Sequence, residues 1–265
     1  MIPQLWRRIL GLITLVACIF SVTPVVVTVA ESFTSSDYIV FPPPGLSIKW
    51  YVEFLKRPEF VNSVVISTTI AVAACVLATT LGTASAIALT RYDFVGRKAF
   101  QSFFMAPMSL PGIIFGLALL QSLTHYGIPR NIVTVTIAHV IITVPFAIRF
   151  VTVALVGIDP NVERAGQSLG ASPIRTFWNI TFPLIRPGVV ASLVFTFILS
   201  FDEVAATLFV SSPEATTLPV RIFAYIDQNY DPLVTSVSSL LVLVAICALA
   251  LIERNIGVGR LFGLR

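Results

Sequence analysis

Six apolar runs, each long enough to cross a lipid bilayer, dominate this 265-residue sequence. A helix needs about 20 apolar residues to cross a hydrocarbon core about 30 Å thick. The runs that meet this requirement are residues 9–30, 61–89, 100–120, 132–150, 188–210 and 233–252. We therefore predict an all-α membrane protein that folds as a bundle of six transmembrane helices.

The composition agrees with a membrane protein. Charged residues make up 11% of the chain and hydrophobic residues 56%, whereas soluble domains carry about 25% charged residues. Because consecutive spanning helices pack on one another, we predict a single transmembrane domain over residues 1–265. In a membrane protein, an excess of Lys and Arg reflects the orientation of the chain in the bilayer. The net charge of +4 therefore does not indicate nucleic acid as a partner.

The basic residues predict which side of the bundle faces the cytoplasm. Six spans put both termini on one side, and twelve of the 17 Lys and Arg residues fall on that side. They are Arg7, Arg8, Arg91, Arg97, Lys98, Arg149, Arg164, Arg175, Arg186, Arg254, Arg260 and Arg265. Cytoplasmic loops carry an excess of Lys and Arg, so we predict that both termini are cytoplasmic.

The segment between the first two runs contains the stretch FPPPGLSIKWYVEF. Its proline run cannot be helical, but Trp50, Tyr51, Phe54 and Leu55 have the character of a helix lying on the outer membrane face. An ordinary surface loop is the alternative.

A polar loop at residues 159–187 separates the fourth and fifth runs. Asp159 followed by proline is a helix start, and Gly170 is a natural helix end. Ser172 followed by proline repeats the start signal, and Pro183 is predicted to end the second helix. The pattern predicts two short, ordered helices exposed to the cytoplasm.

One face of the first short helix is small and apolar, because Val162, Ala165, Gly166 and Leu169 recur at helical spacing. Such a face suits insertion into a groove of another protein. It suits packing against the protein's own bundle equally well, and periodicity alone does not decide.

The loop resembles the cytoplasmic EAA loop of ABC importer permeases, whose pattern is Glu-Ala-Ala, three residues, Gly, nine residues, then Ile-x-Leu-Pro. The residues at the pattern positions are Arg164, Ala165, Gly166, Gly170, Ile180, Phe182 and Pro183. Arg164 stands in place of the glutamate, and Glu163 lies one residue earlier. Which of these two side chains makes the polar contact to a partner therefore stays open.

The resemblance extends over nearly the whole chain. The outer stretch FPPPGLSIKWY and the later stretches LSFDEVAATLFV and TLPVRIFAYI are similar to the smaller permease of polyamine-type importers, a subfamily that includes opine-type transporters. This resemblance implies a type I, MetI-like permease of the bacterial inner membrane. It also implies that the loop is a coupling helix that docks on an ATPase subunit.

The implied partners are two cytoplasmic ATPase subunits, a second homologous permease and a solute-binding protein on the outer side. The sequence has no G-x-x-x-x-G-K-[ST] motif to cradle nucleotide phosphates, so ATP and Mg are expected on the ATPase subunits and no cofactor on this chain. His125 and His139 lack neighbours at metal-ligand spacing. We predict a non-catalytic subunit without a metal site.

Two carboxylates lie within the apolar runs, away from their ends: Asp202 and Glu203. Charges inside a bilayer are costly and usually face the protein interior or water. We hypothesise that one of them lines the translocation path and attracts a cationic solute. A pairing with a polar neighbour, or a helix break that forms an outer-gate loop, is the alternative.

Prolines within the third and fourth runs are hinge candidates. Pro107 and Pro111 are predicted to break the third span and Pro145 the fourth. Gly112 and Gly116 form a GxxxG pair that lets another segment approach closely.

The predicted function is ATP-driven, binding-protein-dependent import of a small organic solute, with a polyamine such as putrescine or spermidine as the leading substrate. An opine, an aminophosphonate or another small organic solute is the alternative within the same class. A more remote alternative is an ATP-independent channel or secondary transporter in which Asp202 or Glu203 carries coupling protons. An intramembrane enzyme is also remote, because adjacent helical carboxylates point apart.

Overall fold

The structure, a computed structural model, describes the backbone of residues 4–256 and the side chains of residues 4–246. Within that part the chain is helical, and the only strand-like pairing is the isolated bridge between Thr34 and Leu46. The helices are α1 Gln4–Ser32, α2 Lys49–Lys56, α3 Pro58–Arg91, α4 Arg97–Met105, α5 Gly112–His125, α6 Ile132–Val156, α7 Pro160–Ser168, α8 Pro173–Thr176, α9 Phe182–Phe201, α10 Thr207–Val210, α11 Leu218–Ile226 and α12 Leu233–Ile256. This confirms the predicted all-α fold.

Four of the described helical segments are long and apolar enough to cross a membrane: α1, α3, α6 and the continuous helix Pro173–Phe201. A fifth span is formed by α4 and α5 if these two helices, which meet at 106°, are counted together. The predicted sixth span falls on α12, whose side chains beyond residue 246 lie outside the described residues. The structure is compatible with six spans.

Two of the three predicted hinge prolines lie at a bend in the chain, and the third lies within a continuous helix. Pro107 is the second residue of the 3₁₀ turn Ala106–Ser109, and Pro111 directly precedes α5, so both lie at the bend in the third span. Pro145 is buried in α6, which runs through it without interruption. The prediction that Pro145 breaks the fourth span is therefore wrong, because one missing N–H is tolerated in a helix that its neighbours enclose.

The described residues group into two compact units: the residues up to Val61 with Ile222–Asn255, and Asn62–Arg221. The prediction of a single domain stays a prediction. In the second unit α3, α6 and α9 pack around a shared apolar core. The helices approach closely at small residues, because a Cβ added at Gly82 would lie 2.5 Å from Ala147 Cβ and one at Gly188 would lie 2.5 Å from Ala154 Cβ.

In the first unit, the segment after α1 leads into α2. Trp50 and Phe54 are buried on one side of α2, and Leu55 is exposed. The Trp50 indole N–H donates to the Ser36 carbonyl at 3.0 Å, which ties the helix to the preceding loop. A helix is therefore present where the sequence predicts one, and its position on a membrane face stays a prediction.

A hydrogen-bonded cluster ties α2 to the start of α12 within the same unit. Arg57 Nη1 donates to Tyr225 Oη at 2.8 Å, and the Tyr225 hydroxyl donates to Asp231 Oδ2 at 2.5 Å. Asp231 Oδ1 in turn accepts from the Leu233 N–H that begins α12. Burial, reinforced by the Asp231 hydrogen bond, raises the pKa of Tyr225 to about 12, so the hydroxyl keeps the proton that it donates.

Candidate functional site

The first helix of the loop at residues 159–187 begins and ends at the residues that the sequence indicates. Asp159 accepts a hydrogen bond from the Asn161 N–H at 2.9 Å, and the proline that follows occupies the first turn of α7. Gly170, at φ +90°, ends the helix, and the Ala171 N–H reaches back to the Gly166 carbonyl. This is the hydrogen-bonding pattern of a Schellman motif, which requires the left-handed conformation that glycine adopts readily.

The second helix of the loop does not end at Pro183, and that prediction is wrong. α8 continues through a π-helical turn, Phe177–Thr181, directly into α9. Pro183 lies in the first turn of α9, where the wide turn before it has already interrupted the α-helical hydrogen-bond ladder and its missing N–H costs little. A continuous helix, Pro173–Phe201, therefore runs from the loop into the bundle.

Glu163 faces the protein's own bundle. Its Oε2 lies 2.9 Å from Arg91 Nε at the end of α3, and both side chains are about 15% exposed. Its Oε1 accepts from the Thr181 hydroxyl at 2.8 Å, just before α9. Arg91 also donates to the Leu155 carbonyl in α6 at 3.2 Å. We name this group, Arg91, Glu163 and Thr181, the coupling bridge, because it joins α7 to three of the long helices.

Gly166 also faces inward. A Cβ added at this position would lie 2.5 Å from Ile180 Cδ1, so α7 and the π turn are in close contact here. This contact gives a physical reason for glycine in place of the second alanine of the EAA pattern. Ile180, another residue of that pattern, is the residue on which Gly166 packs.

The remainder of the loop presents an exposed apolar surface. Leu169 is 90% exposed, Ile174 73% and Trp178 58%, and beside them an open cavity of about 330 Å³ lies between α7 and α8. We name Leu169, Ile174 and Trp178 the apolar loop surface. The predicted face of α7 is thus divided, because Gly166 packs inward whereas Val162, Ala165 and Leu169 are exposed. The exposure of Ile174 and Trp178 is not among the features predicted from the sequence, although two large apolar residues in a polar loop are a usable signal.

Two arginine side chains of the loop, Arg164 and Arg175, are exposed. Arg164 is exposed, and its contact to Asn161 is long, at 3.5 Å. Arg175 lines the open cavity together with Gly170. The loop therefore combines exposed apolar side chains with positive charge, while Glu163 is bonded inward to Arg91 and Thr181.

The two acidic residues lie at a helix break. α9 ends at Phe201 and does not continue to residue 210 as predicted for the fifth span. Asp202 is exposed and Glu203 partly buried. Glu203 Oε1 accepts the Ala206 N–H at 2.8 Å, and this contact satisfies a backbone group that the break leaves free. A helix break is therefore present in this segment, and the role of the two acids in the translocation path stays a prediction.

The glycine pair of α5 packs behind the break. A Cβ at Gly112 would lie 2.9 Å from Ala205 Cβ, and one at Gly116 would lie 2.7 Å from Ala206 Cα. The close approach predicted from the GxxxG spacing is present, and its partner is the segment after α9. In the part of the chain that the structure describes, no three His, Cys, Asp or Glu side chains group to hold a metal ion.

A helical membrane bundle with an ordered polar loop continuous with one of its spans is the architecture of a transport permease. Residues 78–256 match the sequence profile of a family described as "Binding-protein-dependent transport system inner membrane component". The chain belongs to this family, and it is a non-catalytic inner-membrane permease subunit of an ABC importer.

Two similar proteins support the assignment to this family. The chain is 33% identical over 243 residues to the putrescine transport system permease protein PotI of Escherichia coli K12, a match that covers 89% of this chain and 85% of PotI. It is 29% identical over 235 residues to the spermidine/putrescine transport system permease protein PotC of the same strain, covering 88% of this chain and 89% of PotC.

A solved structure supports the fold. The crystal structure of a bacterial ABC transporter involved in the import of the acidic polysaccharide alginate contains a chain that superposes with a TM-score of 0.73 at 15% identity. The superposition covers 96% of this chain and 97% of that one. The type I permease fold predicted from the sequence is confirmed.

Proposed function

We propose that this permease translocates a small cationic organic solute, with a polyamine such as putrescine or spermidine as the leading candidate. The observation that carries the proposal is the exposed carboxylate of Asp202 at the break after α9. An exposed acidic group within an otherwise apolar span attracts cations. The relatives named for putrescine and spermidine support the same class of solute.

The two acids have different roles in this proposal. Asp202 contacts the solute, because no hydrogen bond or ion pair of its carboxylate is found within residues 4–246. Glu203 holds the shape of the break through its contact with the Ala206 N–H. In this proposal Asp202, and not Glu203, lines the path.

The complex is proposed to contain a second homologous permease, two ATPase subunits and a solute-binding protein. Both termini and residues 159–187 face the cytoplasm, and the ATPase subunits carry the ATP and Mg. The apolar loop surface docks in a groove of an ATPase subunit, and Arg164 rather than Glu163 makes the polar contact there. The positions of the two side chains support this choice, since Arg164 is exposed and Glu163 is bonded internally.

Closure of the ATPase pair is transmitted along two connections. The continuous helix Pro173–Phe201 carries displacement of the loop toward the acidic break. The coupling bridge carries it to α3 through Arg91. The bend at Pro107 and Pro111 is the proposed hinge, because the chain there already departs from a straight helix.

The test is ATP hydrolysis by the complex purified with its native partners and reconstituted in lipid. Native solute-binding protein is added empty, with putrescine or with spermidine. Stimulation by the polyamine-loaded binding protein supports the proposal. If stimulation requires an opine or 2-aminoethylphosphonate, that solute replaces the polyamine as the substrate. Solute uptake is measured on the same proteoliposomes, and uptake that persists without ATP favours a channel or secondary transporter.

A further inference from the structure

His139, in α6, is completely enclosed and bonded through both ring nitrogens. Its side chain is 1% exposed. Nδ1 lies 2.8 Å from the Ser200 hydroxyl, and Nε2 lies 2.8 Å from the Thr207 hydroxyl. Both hydroxyl-bearing residues are themselves buried, at 3% and 0% exposure.

The two hydroxyls lie on opposite sides of the acidic break. Ser200 is in the last turn of α9, and Thr207 is the first residue of α10. One imidazole therefore joins the helix ends that flank Asp202–Ala206. A hydroxyl can donate or accept, so a neutral ring satisfies both contacts in either tautomer.

The connecting segment is also held from behind. The glycine face of α5 leaves no room for a side chain against Ala206, and Leu208 and Phe209 begin the next helical turn by bonding back to Val204 and Ala206. The segment is thus fixed at both ends by hydrogen bonds and in its middle by close packing. Among the described residues, the His139 side chain hydrogen-bonds to both ends of the segment.

We infer that His139 is a positioning residue for solute translocation: it holds α10 against the end of α9, so that the Asp202 carboxylate is presented at the break. This inference rests on the proposed role of Asp202. Loss of the imidazole leaves two buried hydroxyls without their partner, which is costly. α10 then leaves its position in a fraction of the molecules.

Thiol labelling tests the position of α10 without any solute. Val210 is 0% exposed and lies one turn after Thr207, so Val210→Cys reports whether α10 is seated. Labelling uses N-ethylmaleimide on the reconstituted complex, with the native cysteines replaced by alanine. These native cysteines are Cys18, Cys75 and Cys247.

We expect His139→Leu and Thr207→Val each to raise the labelling rate by about ten-fold, because local opening exposes the thiol. Thr196→Val is the matched control, since Thr196 is equally buried but its hydroxyl bonds within its own helix; its effect should stay below about two-fold. Equal labelling rates in His139→Leu and Thr196→Val would overturn the inference.

The functional readout is putrescine transported per ATP hydrolysed by the reconstituted complex. A purely structural role would lower complex yield, uptake and hydrolysis together. A positioning role lowers the ratio, by about three-fold in His139→Leu, with partial recovery in His139→Gln, whose amide can still bond one hydroxyl. An unchanged ratio in a complex that transports putrescine would also overturn the inference. If the wild-type complex transports no putrescine, the proposed substrate fails, and the labelling experiment still decides the role of His139.

Discussion

Glu163 and Arg91 form an ion pair, with 2.9 Å between Oε2 and Nε, that joins α7 to the end of α3. Both side chains are mostly shielded from solvent, so salt screens this pair less than an exposed one. Glu163 also accepts from Thr181 and thereby contacts the helix that leads into the bundle. Glu163 is thus an internal link, and exposed residues of the loop are left to contact a partner.

Glu163→Gln should separate ATP hydrolysis from transport. Removing one partner of a mostly buried ion pair costs about 3 kcal/mol and loosens the link between the loop and α3. We expect solute transported per ATP to fall by about five-fold, while the ATPase subunits stay associated. Reconstituted uptake and hydrolysis, measured on the same sample, give this ratio.

The matched control is Arg97→Gln, which removes an ion pair to Asp93 that is largely solvent-exposed. Exposed pairs contribute little, so the transport ratio should stay near the wild-type value. An unchanged ratio in Glu163→Gln, or an equal loss in the control, would contradict a role for the coupling bridge.

The contact between Gly166 and Ile180 predicts a clash that a second substitution relieves. Gly166→Val places atoms where Ile180 Cδ1 lies, so the Ile180 side chain must move and the packing between α7 and the π turn changes, at a cost of about 1 kcal/mol. We expect co-purification of the ATPase subunits to decrease. Gly166→Val combined with Ile180→Ala should recover part of it, and failure of the pair to recover would argue against this packing as the cause.

The sequence was sufficient to predict those features that local signals determine. Asp159 before a proline and Gly170 after the last turn predict both ends of α7, because capping and left-handed backbone are local effects. The apolar runs likewise predict the long helices. By contrast, the inward direction of Glu163 depends on Arg91, which lies 72 positions earlier (163 − 91), and no local pattern reports such a contact.

The position at which α9 ends could not be predicted from hydropathy. The residues from Val204 to Val210 continue the apolar run, and an apolar run alone does not distinguish a helix from a broken segment. The break depends on tertiary contacts: Glu203 satisfies the Ala206 N–H, and α5 presents a glycine face to the same residue. The prediction that Pro183 ends a helix failed for a similar reason, because residue types alone do not indicate the π turn that precedes it.

The apolar loop surface should be required for association with the ATPase subunits. Leu169 is 90% exposed, and Trp178 is 58% exposed with ring contacts to its neighbours Phe177 and Phe182, so replacing these two side chains mainly removes apolar contact area from the surface. We expect Trp178→Ala combined with Leu169→Ser to weaken association by about ten-fold or more, as loss of an interface anchor does. Detergent pull-down at graded ATPase concentration measures this.

Val95→Ser is the control for surface hydrophobicity, because Val95 is fully exposed between α3 and α4 and outside the loop. Its association should match that of the wild type. If the double variant of the loop binds as tightly as Val95→Ser, docking through this surface is excluded.

Neutralising the two acids should have unequal effects on transport. Asp202→Asn removes the exposed charge proposed to attract the solute, and we expect uptake of a dicationic polyamine to fall by about ten-fold. Glu203→Gln retains a carbonyl oxygen that can accept the Ala206 N–H, so the break keeps its shape and uptake falls by about two-fold or less. Glu203→Leu loses the acceptor and leaves that N–H without its partner, which should reduce uptake more strongly.

The measurement is the initial rate of ATP-driven putrescine uptake at equal amounts of assembled complex, with Asp227→Asn as a control acid at an exposed position. Normal uptake in both Asp202→Asn and Glu203→Gln would remove the acids from the path, and a larger loss in Glu203→Gln than in Asp202→Asn would reverse their roles.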